Sequence, residues 1–322
     1  GGTKDFYGNA SDGERLDPRG YAGIVAHEPT ELVITARCGT PLAELEAVLD
    51  AAGQMLAFEP PHFGSTATVG GCVAAGLSGP RRASAGGVRD FVLGCRLLVG
   101  SGEVLAFGGT VMKNVAGYDV ARLAAGSLGV LGVITELSLK VLPKPVAEAT
   151  LRLELDEAAA LKMMNQWAGQ PLPVSATAWR DGVLHVRLSG ARAAVSEAIK
   201  KIGGAEVDGG AHWAALREHA DGYFAGDAPL WRLALPSVAQ PLGLPGAQLI
   251  EWGGAQRWLR SNAPAAQIRS RATALGGHAT LTFALEGGRK AEAKAVGVEA
   301  GQHDFATRAP PRHQRVENGR VA

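Results

Sequence analysis

The sequence predicts an α+β protein built as two domains, each with its own core. Three observations lead there. The chain has 322 residues, 46% hydrophobic and 20% charged, an ordinary globular balance with length enough for two cores. A strong apolar strand pattern ends at Leu142 and is closed by Pro143 and Pro145, which cannot continue a hydrogen-bonded ladder. From Thr150 onward the pattern becomes strand, helix, strand, strand, helix, the order of a ferredoxin-like α+β layer. The expected divisions are 1–145, 146–285, and a tail at 286–322.

In the first part, Glu31–Arg37 reads as a strand. Thr40 and Pro41, followed by Leu42, Leu45, Val48 and Leu49, read as a capped amphipathic helix ending at Gly53. A glycine loop is expected from Pro60 to Gly87. Strands follow at Phe91–Val99 and Val104–Phe107, joined by the hairpin-type turn Gly100-Ser101-Gly102. Next come a loop at Lys113–Tyr118, a short helix at Asp119–Ala124, and a strand at Gly132–Leu142. The chain opens at Gly1 directly in a glycine turn, so this domain is expected to be incomplete at its N-terminal side.

In the second part the expected elements are Leu151–Leu155, Ala158–Trp167, Ser175–Trp179, Val183–Leu188 and Arg192–Ile202. Later strands at Leu230–Leu235 and Gln248–Glu251, a helix near Ala265–Leu275 and a strand at His278–Phe283 complete the layer. All six tryptophans fall here and are expected to be anchors of the core or of the domain contact. No internal repeat is evident. After Leu285 no Leu, Ile, Met, Trp or Tyr remains, so 286–322 cannot build a core and is expected to be disordered or loosely attached.

Composition excludes several partners. Thirty-two Lys and Arg against 31 Asp and Glu leave a formal charge of +1, too little to hold nucleic acid or an anionic membrane. There is no run of eighteen apolar residues and no secretion signal, which suggests a cytoplasmic location without a direct membrane span. Cys38, Cys72 and Cys95 stand far apart beside apolar or glycine-rich runs and read as buried free thiols. No metal-ligand spacing of cysteine or histidine occurs, so if electrons move here an organic cofactor carries them.

The chemistry is expected where the 44 glycines are densest, between Gly64 and Gly132. The stretch Pro60, Pro61, Gly64, Ser65, Thr66, Ala67, Thr68, Gly70 and Gly71, continuing to Gly76, offers backbone N–H groups at close range with few side chains in the way. That suits a pyrophosphate. Gly126-Ser127-Leu-Gly-Val-Leu-Gly132 is also glycine-rich, but it follows a helix and opens the strand of Val133 and Ile134, the reverse of a Rossmann fingerprint. No Walker-type sequence is present, so NAD and ATP both lose support. Gly117 and Asp119 lie in a polar loop ahead of a helix that Asp119 can cap. Arg81, Arg82, Arg89 and Asp90 flank the glycine loop, where they could position phosphate or fix the loop, with solvated charge the default for Arg81 and Arg82.

Six stretches together resemble the FAD domain of vanillyl-alcohol-oxidase, or PCMH-type, flavoproteins. They are Gly1-Gly2-Thr3-Lys4, Glu59-Pro-Pro-His62, Thr66–Gly71, Val88–Gly94, Gly108–Asp119 and Gly126–Thr135. Within that superfamily, Glu59-Pro-Pro-His62 and Met112-Lys-Asn-Val-Ala-Gly-Tyr-Asp119 are similar to the FAD-binding E subunits of glycolate oxidases, and the likeness extends through Gln248–Trp258 to Gly276–Thr280. The resemblance implies a PCMH-type FAD-binding domain of two α+β subdomains with a ferredoxin-like cap over the flavin. It implies that Gly1–Lys4 end the first pyrophosphate loop, that Pro60–Gly71 form the main FAD loop, and that Gly126–Ile134 lie along the cofactor. It further implies a larger flavin subunit and an iron–sulfur subunit as partners, glycolate or a similar small 2-hydroxy acid as substrate, and any membrane association through those partners. The family's usual closing segment has no counterpart after Thr280.

Oxidation of a 2-hydroxy acid needs a cation for the carboxylate and a base near the hydroxyl. The sequence does not locate that pair. His62, His278 and Arg232 stand open as candidates, with His62 read as structural. FAD is expected to be noncovalent, since Gly1–Asp5 offers no histidine or cysteine to attack the flavin. Partners are expected to cover the tryptophan-rich cap and the loop at Arg81 and Arg82. A fold kept only as a scaffold is the alternative, as is another FAD-dependent 2-hydroxy acid dehydrogenase.

Overall fold

Strand β1 (Ile24–Glu28) turns through a short 3-10 segment into β2 (Val33–Arg37), whose Val33, Ile34 and Ala36 are buried. The computed structural model describes residues 14, 16–110, 119–282, 285–286 and 289–290. Helix α1 (Leu42–Ala51) buries Leu42, Leu45 and Leu49, the 3–4 spacing that sets one helix face on a core. Thr40 does not cap it. Its hydroxyl exchanges hydrogen bonds with the backbone of Gly23, and the Leu42 N–H finds the carbonyl of Ala67 instead.

The expected glycine loop is partly helical. After the short strand β3 (Gln54–Met55), α2 runs over Val69–Ala75 and α3 over Arg82–Ala85. Thr68 caps α2 by accepting from the Gly71 N–H at 3.2 Å, and Val69, Cys72 and Val73 point into the core. Glycine content concealed this helix. Gly70 is needed because a Cβ there would stand 2.6 Å from Cys38 Cβ, so the helix rests directly on the end of β2.

Strands β4 (Val92–Leu98) and β5 (Val104–Gly108) form the expected hairpin, followed by α4 (Val120–Ala124), β6 (Val133–Lys140) and β7 (Leu142–Pro143). Five strands make an antiparallel sheet in the order β1-β2-β6-β4-β5, with α1 and α2 sharing its core.

The second sheet has eight strands. Strand β8 (Ala147–Glu154), α5 (Glu157–Ala168), β9 (Val174–Arg180), β10 (Val183–Gly190), α6 (Arg192–Ile202) and β11 (Ala205–Val207) give the order β11-β8-β10-β9, which is ferredoxin-like. After α7 (Gly210–Arg217) come β12 (Leu230–Ala234), β13 (Ala247–Glu251), β14 (Gln256–Arg260), α8 (Ala265–Ala274) and β15 (His278–Thr282). Read as β15-β12-β14-β13, these strands have the same spatial order, joined edge to edge through β13 and β9. The layer is therefore doubled in topology, a repeat that the residues do not advertise.

Three elements of this half escape sequence reading: β11, α7 and β14. Strand β14 carries Gln256, Arg257 and Arg260, yet all five of its residues are buried. Arg257 donates to the carbonyls of Ala239, Gln240 and Gly254, and Arg260 to those of Tyr223, Phe224, Gly226 and Ala228, which satisfies the guanidiniums inside the fold. Helix α7 begins at a glycine pair and shows only Trp213 and Leu216 to the core. Of the tail expected from residue 286, Glu286 and its neighbour Leu285 pair with Arg289–Lys290, and the rest lies outside the described residues.

Candidate functional site

The segment Glu59–Phe63 bonds to Glu46 of α1 and to Arg187 of β10, and ends where the exposed loop Gly64-Ser65-Thr66 begins. Glu59 and Phe63 both lie in the left-handed region, at φ 47° and 51°, although neither is glycine. Such residues persist only where their surroundings over-determine them. Here they do. Glu59 Oε2 accepts from Arg187 Nη2 at 2.7 Å and from the Arg81 N–H at 2.8 Å, and Arg81 also pairs with Glu148 at 3.0 Å. Burial alone would raise the Glu59 carboxyl, but Arg187 and Arg81 together outweigh it and hold the group below its ordinary value. Gly79 packs so closely that a Cβ would meet the Glu59 carbonyl oxygen at 2.1 Å, and its own carbonyl accepts from Trp252 Nε1 at 3.1 Å.

His62 is held from both sides. Its ring Nε2 bonds Glu46 of α1 at 3.0 Å, which raises the imidazole above its usual value against a smaller opposing effect of burial. Its backbone N–H and that of Phe63 both donate to Glu218 Oε2, at 3.0 and 2.9 Å. His62 thus ties α1 to the loop through its ring and to Glu218 through its backbone.

Beyond Phe63 the backbone opens. Gly64, Ser65 and Thr66 are exposed and Ala67 and Thr68 half-buried. Gly71 is exposed too, and a Cβ there would meet only Thr68 Oγ1, at 3.1 Å. At the far end of α2, Gly76 (φ 67°) lies against Gly126, where a Cβ would come within 3.1 Å of the Gly126 Cα. The N–H groups of Gly126 and Leu128 bond the carbonyls of Val73 and Ala74, tying the second glycine segment to the helix. Seven helical residues separate the two loops by about 10 Å. This strip of small, exposed residues fits an elongated ligand lying against backbone, and Ser127, half-buried, belongs to it.

Other sequence-predicted residues have packing or capping partners within the fold. Pro60 and Pro61 are buried in the seam, Gly70 lies against Cys38, and Ile134 is in the core of the first sheet. A Cβ on Gly132 would meet the Leu98 carbonyl at 2.7 Å, and Val133 is half-buried in β6. Asp119 caps α4 through the Arg122 N–H and pairs with the Arg122 side chain. Gly1, Gly2, Thr3, Lys4 and Gly117 lie outside the described residues.

The partner surface expected from sequence is corrected. All six tryptophans are less than a tenth exposed, and Arg81 is buried and ion-paired rather than solvated. Arg82 is exposed but lies over the Trp252 ring at 4.5 Å. The exposed large apolar side chains include Leu123, Leu128, Val130 and Leu131, around the second glycine segment. Sequence reasoning also missed Arg187, Glu218 and Trp252 as walls of the seam. Arg187 lies on the face of β10 opposite Leu184, Val186 and Leu188, where a charged residue reads as solvent-facing, so the sequence carries no signal that it is buried.

Of the open catalytic candidates, His278 is exposed on β15 and Arg232 donates to Gln256 at 2.8 Å. The three cysteines are buried and unpaired, and among the described residues no cluster of metal-ligating side chains occurs. No helix of the described residues is long and apolar enough to cross a membrane.

Comparison with known proteins adds to this geometry. Residues 1–122 match the family model described as an FAD binding domain. The chain is 52% identical over 286 residues to glycolate oxidase subunit GlcE of Escherichia coli (strain K12), covering 89% of this chain and 81% of that protein. It is 36% identical over 122 residues to glycolate oxidase subunit GlcD of Bacillus subtilis (strain 168), covering 37% of this chain and 26% of that one. Among solved structures, an alkyldihydroxyacetonephosphate synthase shares the fold with a TM-score of 0.60 at 15% identity, over 80% of this chain and 62% of that one.

Proposed function

The chain belongs to the glycolate oxidase GlcE subunit family, and from that premise we propose that it is the FAD-binding subunit of a glycolate-oxidising assembly. It is an FAD-dependent oxidoreductase subunit. The identity of 52%, running through both the glycine-rich half and the cap, carries the reading.

In this reading residues 1–145 form the FAD-binding domain and 146–285 the cap. When bound, FAD supplies a two-electron acceptor. The exposed backbone at Gly64–Thr68, Gly71, Gly76 and Gly126–Ser127 holds it, with Gly1–Lys4 and Gly117 contributing from outside the described residues. Glu59, Arg81 and Arg187 keep the loop's entry rigid, and Pro60 and Pro61 reduce its freedom before binding. Glycolate loses two electrons and two protons to become glyoxylate. The electrons then leave through an iron–sulfur partner, and a larger flavin subunit shares the assembly. Three buried, scattered cysteines offer no cluster ligands of this chain's own, which supports the need for such a partner.

The test is to purify the native assembly and measure flavin and iron per chain, then to assay this chain alone and with its partners, using glycolate and a dye acceptor. Flavin on this chain with turnover only in the assembly is expected. Full turnover by the chain alone would make it a self-sufficient dehydrogenase. A second reading is a scaffold without flavin; absence of yellow chromophore from this chain would select it.

A further inference from the structure

Glu218, at the end of α7, belongs to the cap, 156 residues from the loop it touches. One of its oxygens, Oε2, takes the N–H groups of both His62 and Phe63, while Oε1 accepts from Arg217 Nε at 2.8 Å. Two successive N–H groups converging on one anionic oxygen, with the second residue left-handed, form a small anion nest. In this protein the nest is filled by the protein's own carboxylate. The Phe63 ring meets the His219 ring at 4.9 Å, and His219 stacks on Phe224 at 4.2 Å, so the left-handed turn is clamped by two consecutive cap residues. Gly64 follows immediately, at φ 124° and with open space around it.

We propose that Glu218 is a positioning residue for the cofactor: by occupying the His62–Phe63 nest it holds the Gly64–Thr68 backbone in its ligand-receiving shape and leaves only amides from Gly64 onward for the pyrophosphate. This rests on the reading of that loop as the FAD loop. The cap thereby governs cofactor affinity without touching the cofactor. A loop released from the nest samples other shapes, and apparent affinity falls by the fraction of time it is misplaced.

The experiment compares the full-length chain with Glu218→Ala and Glu218→Gln. Two readouts are taken: amide hydrogen exchange of residues 64–68 without flavin, and the FAD dissociation constant from quenching of flavin fluorescence. Glu218→Ala is expected to exchange faster over 64–68 and to bind FAD roughly tenfold more weakly. Glu218→Gln retains a carbonyl oxygen able to accept both N–H groups and is expected to recover most of the affinity. Should Glu218→Ala fail to fold, Glu218→Asp, which withdraws the oxygen by one methylene, is read in its place. Wild-type affinity in the Ala or Asp variant overturns the proposal, as does a Gln variant no better than Ala. A wild-type chain that binds no FAD at all marks the failure of the loop assignment itself and takes the proposal with it, whereas binding by wild type and variants alike refutes only the role of Glu218.

Discussion

Replacing Arg187 with methionine is expected to destabilise the protein by about 3 kcal/mol at neutral pH, the lower end for removing one partner of a buried ion pair. Arg187 is 4% exposed and donates to Glu59 at 2.7 Å and to Ser175 Oγ at 3.1 Å, with its guanidinium 5.1 Å from the Trp213 ring centre. Hydrogen bonds involving a charged group contribute roughly 1.5–3 kcal/mol each. Methionine restores the volume but none of these bonds. Glu59 keeps Arg81, through its N–H at 2.8 Å and Nε at 3.4 Å, which is why the upper end is not expected. The pH dependence follows from the sign of the shift. A carboxyl held below its ordinary value of 4.5 stabilises the fold above that pH and loses its contribution as pH falls through the folded value. In Arg187→Met the opposing effect of burial gains ground, Glu59 takes up a proton more readily, and the stability gap from wild type narrows in acid. Urea unfolding followed by tryptophan fluorescence at pH 7 and pH 4 measures both. A gap below about 1 kcal/mol at pH 7, or one that does not narrow, refutes the reasoning, and a double-mutant cycle with Glu59→Gln isolates the pair.

Gly79→Ala pushes a Cβ to 2.1 Å from the Glu59 carbonyl oxygen, so a loss of about 1–3 kcal/mol in thermal or urea unfolding is expected; an unchanged midpoint would show that the seam is not tightly packed there. The neighbouring glycines separate by role: Gly70→Val collides with Cys38 and is expected to impair folding, whereas Gly71→Val is expected to fold, by tryptophan fluorescence, but to weaken FAD binding at least roughly tenfold. Retention of normal FAD affinity by Gly71→Val counts against the loop assignment. His62 has a raised value because of Glu46, so its contribution is fully present below the ordinary 6.5 and is lost as pH rises through the folded value. The stability advantage of wild type over His62→Ala should therefore shrink from pH 5.5 to pH 8.5, and an advantage that grows would reverse the assignment of that pair. Acid precipitation is expected to leave the flavin colour in the supernatant, as a noncovalent cofactor requires.

Much of the strand and helix order was legible because each element buries one face, and the periods of two and 3.6 register that locally. Helix α6 matches its expected span at both ends, and the first five elements of the second sheet's leading unit follow the predicted order, β11 being the addition. The glycine-rich segments were legible for a similar reason, since Gly76 (φ 67°) and Gly126 (φ 80°) take a backbone conformation that side chains rarely adopt, and a Cβ on Gly76 would press to 3.1 Å on Gly126. Where the local signal is mixed, reading failed. Thr68 turns a glycine run into helix α2, and the arginines of β14 disguise a fully buried strand. The seam was beyond sequence altogether. A residue's own neighbours in the chain show that it is polar, but not which distant group neutralises it. Glu59 meets Arg187 across 128 residues, His62 meets Glu218 across 156, and Gly79 meets Trp252 across 173. Sequence alone therefore determined that this chain offers a glycine-rich loop in its first half and an α+β layer in its second. Only the tertiary structure decided that residues 187–252 grip that loop, because enclosing Glu59 and bending Phe63 are costly in isolation and become stable only when Arg187, Glu218 and His219 arrive together from the second half of the chain.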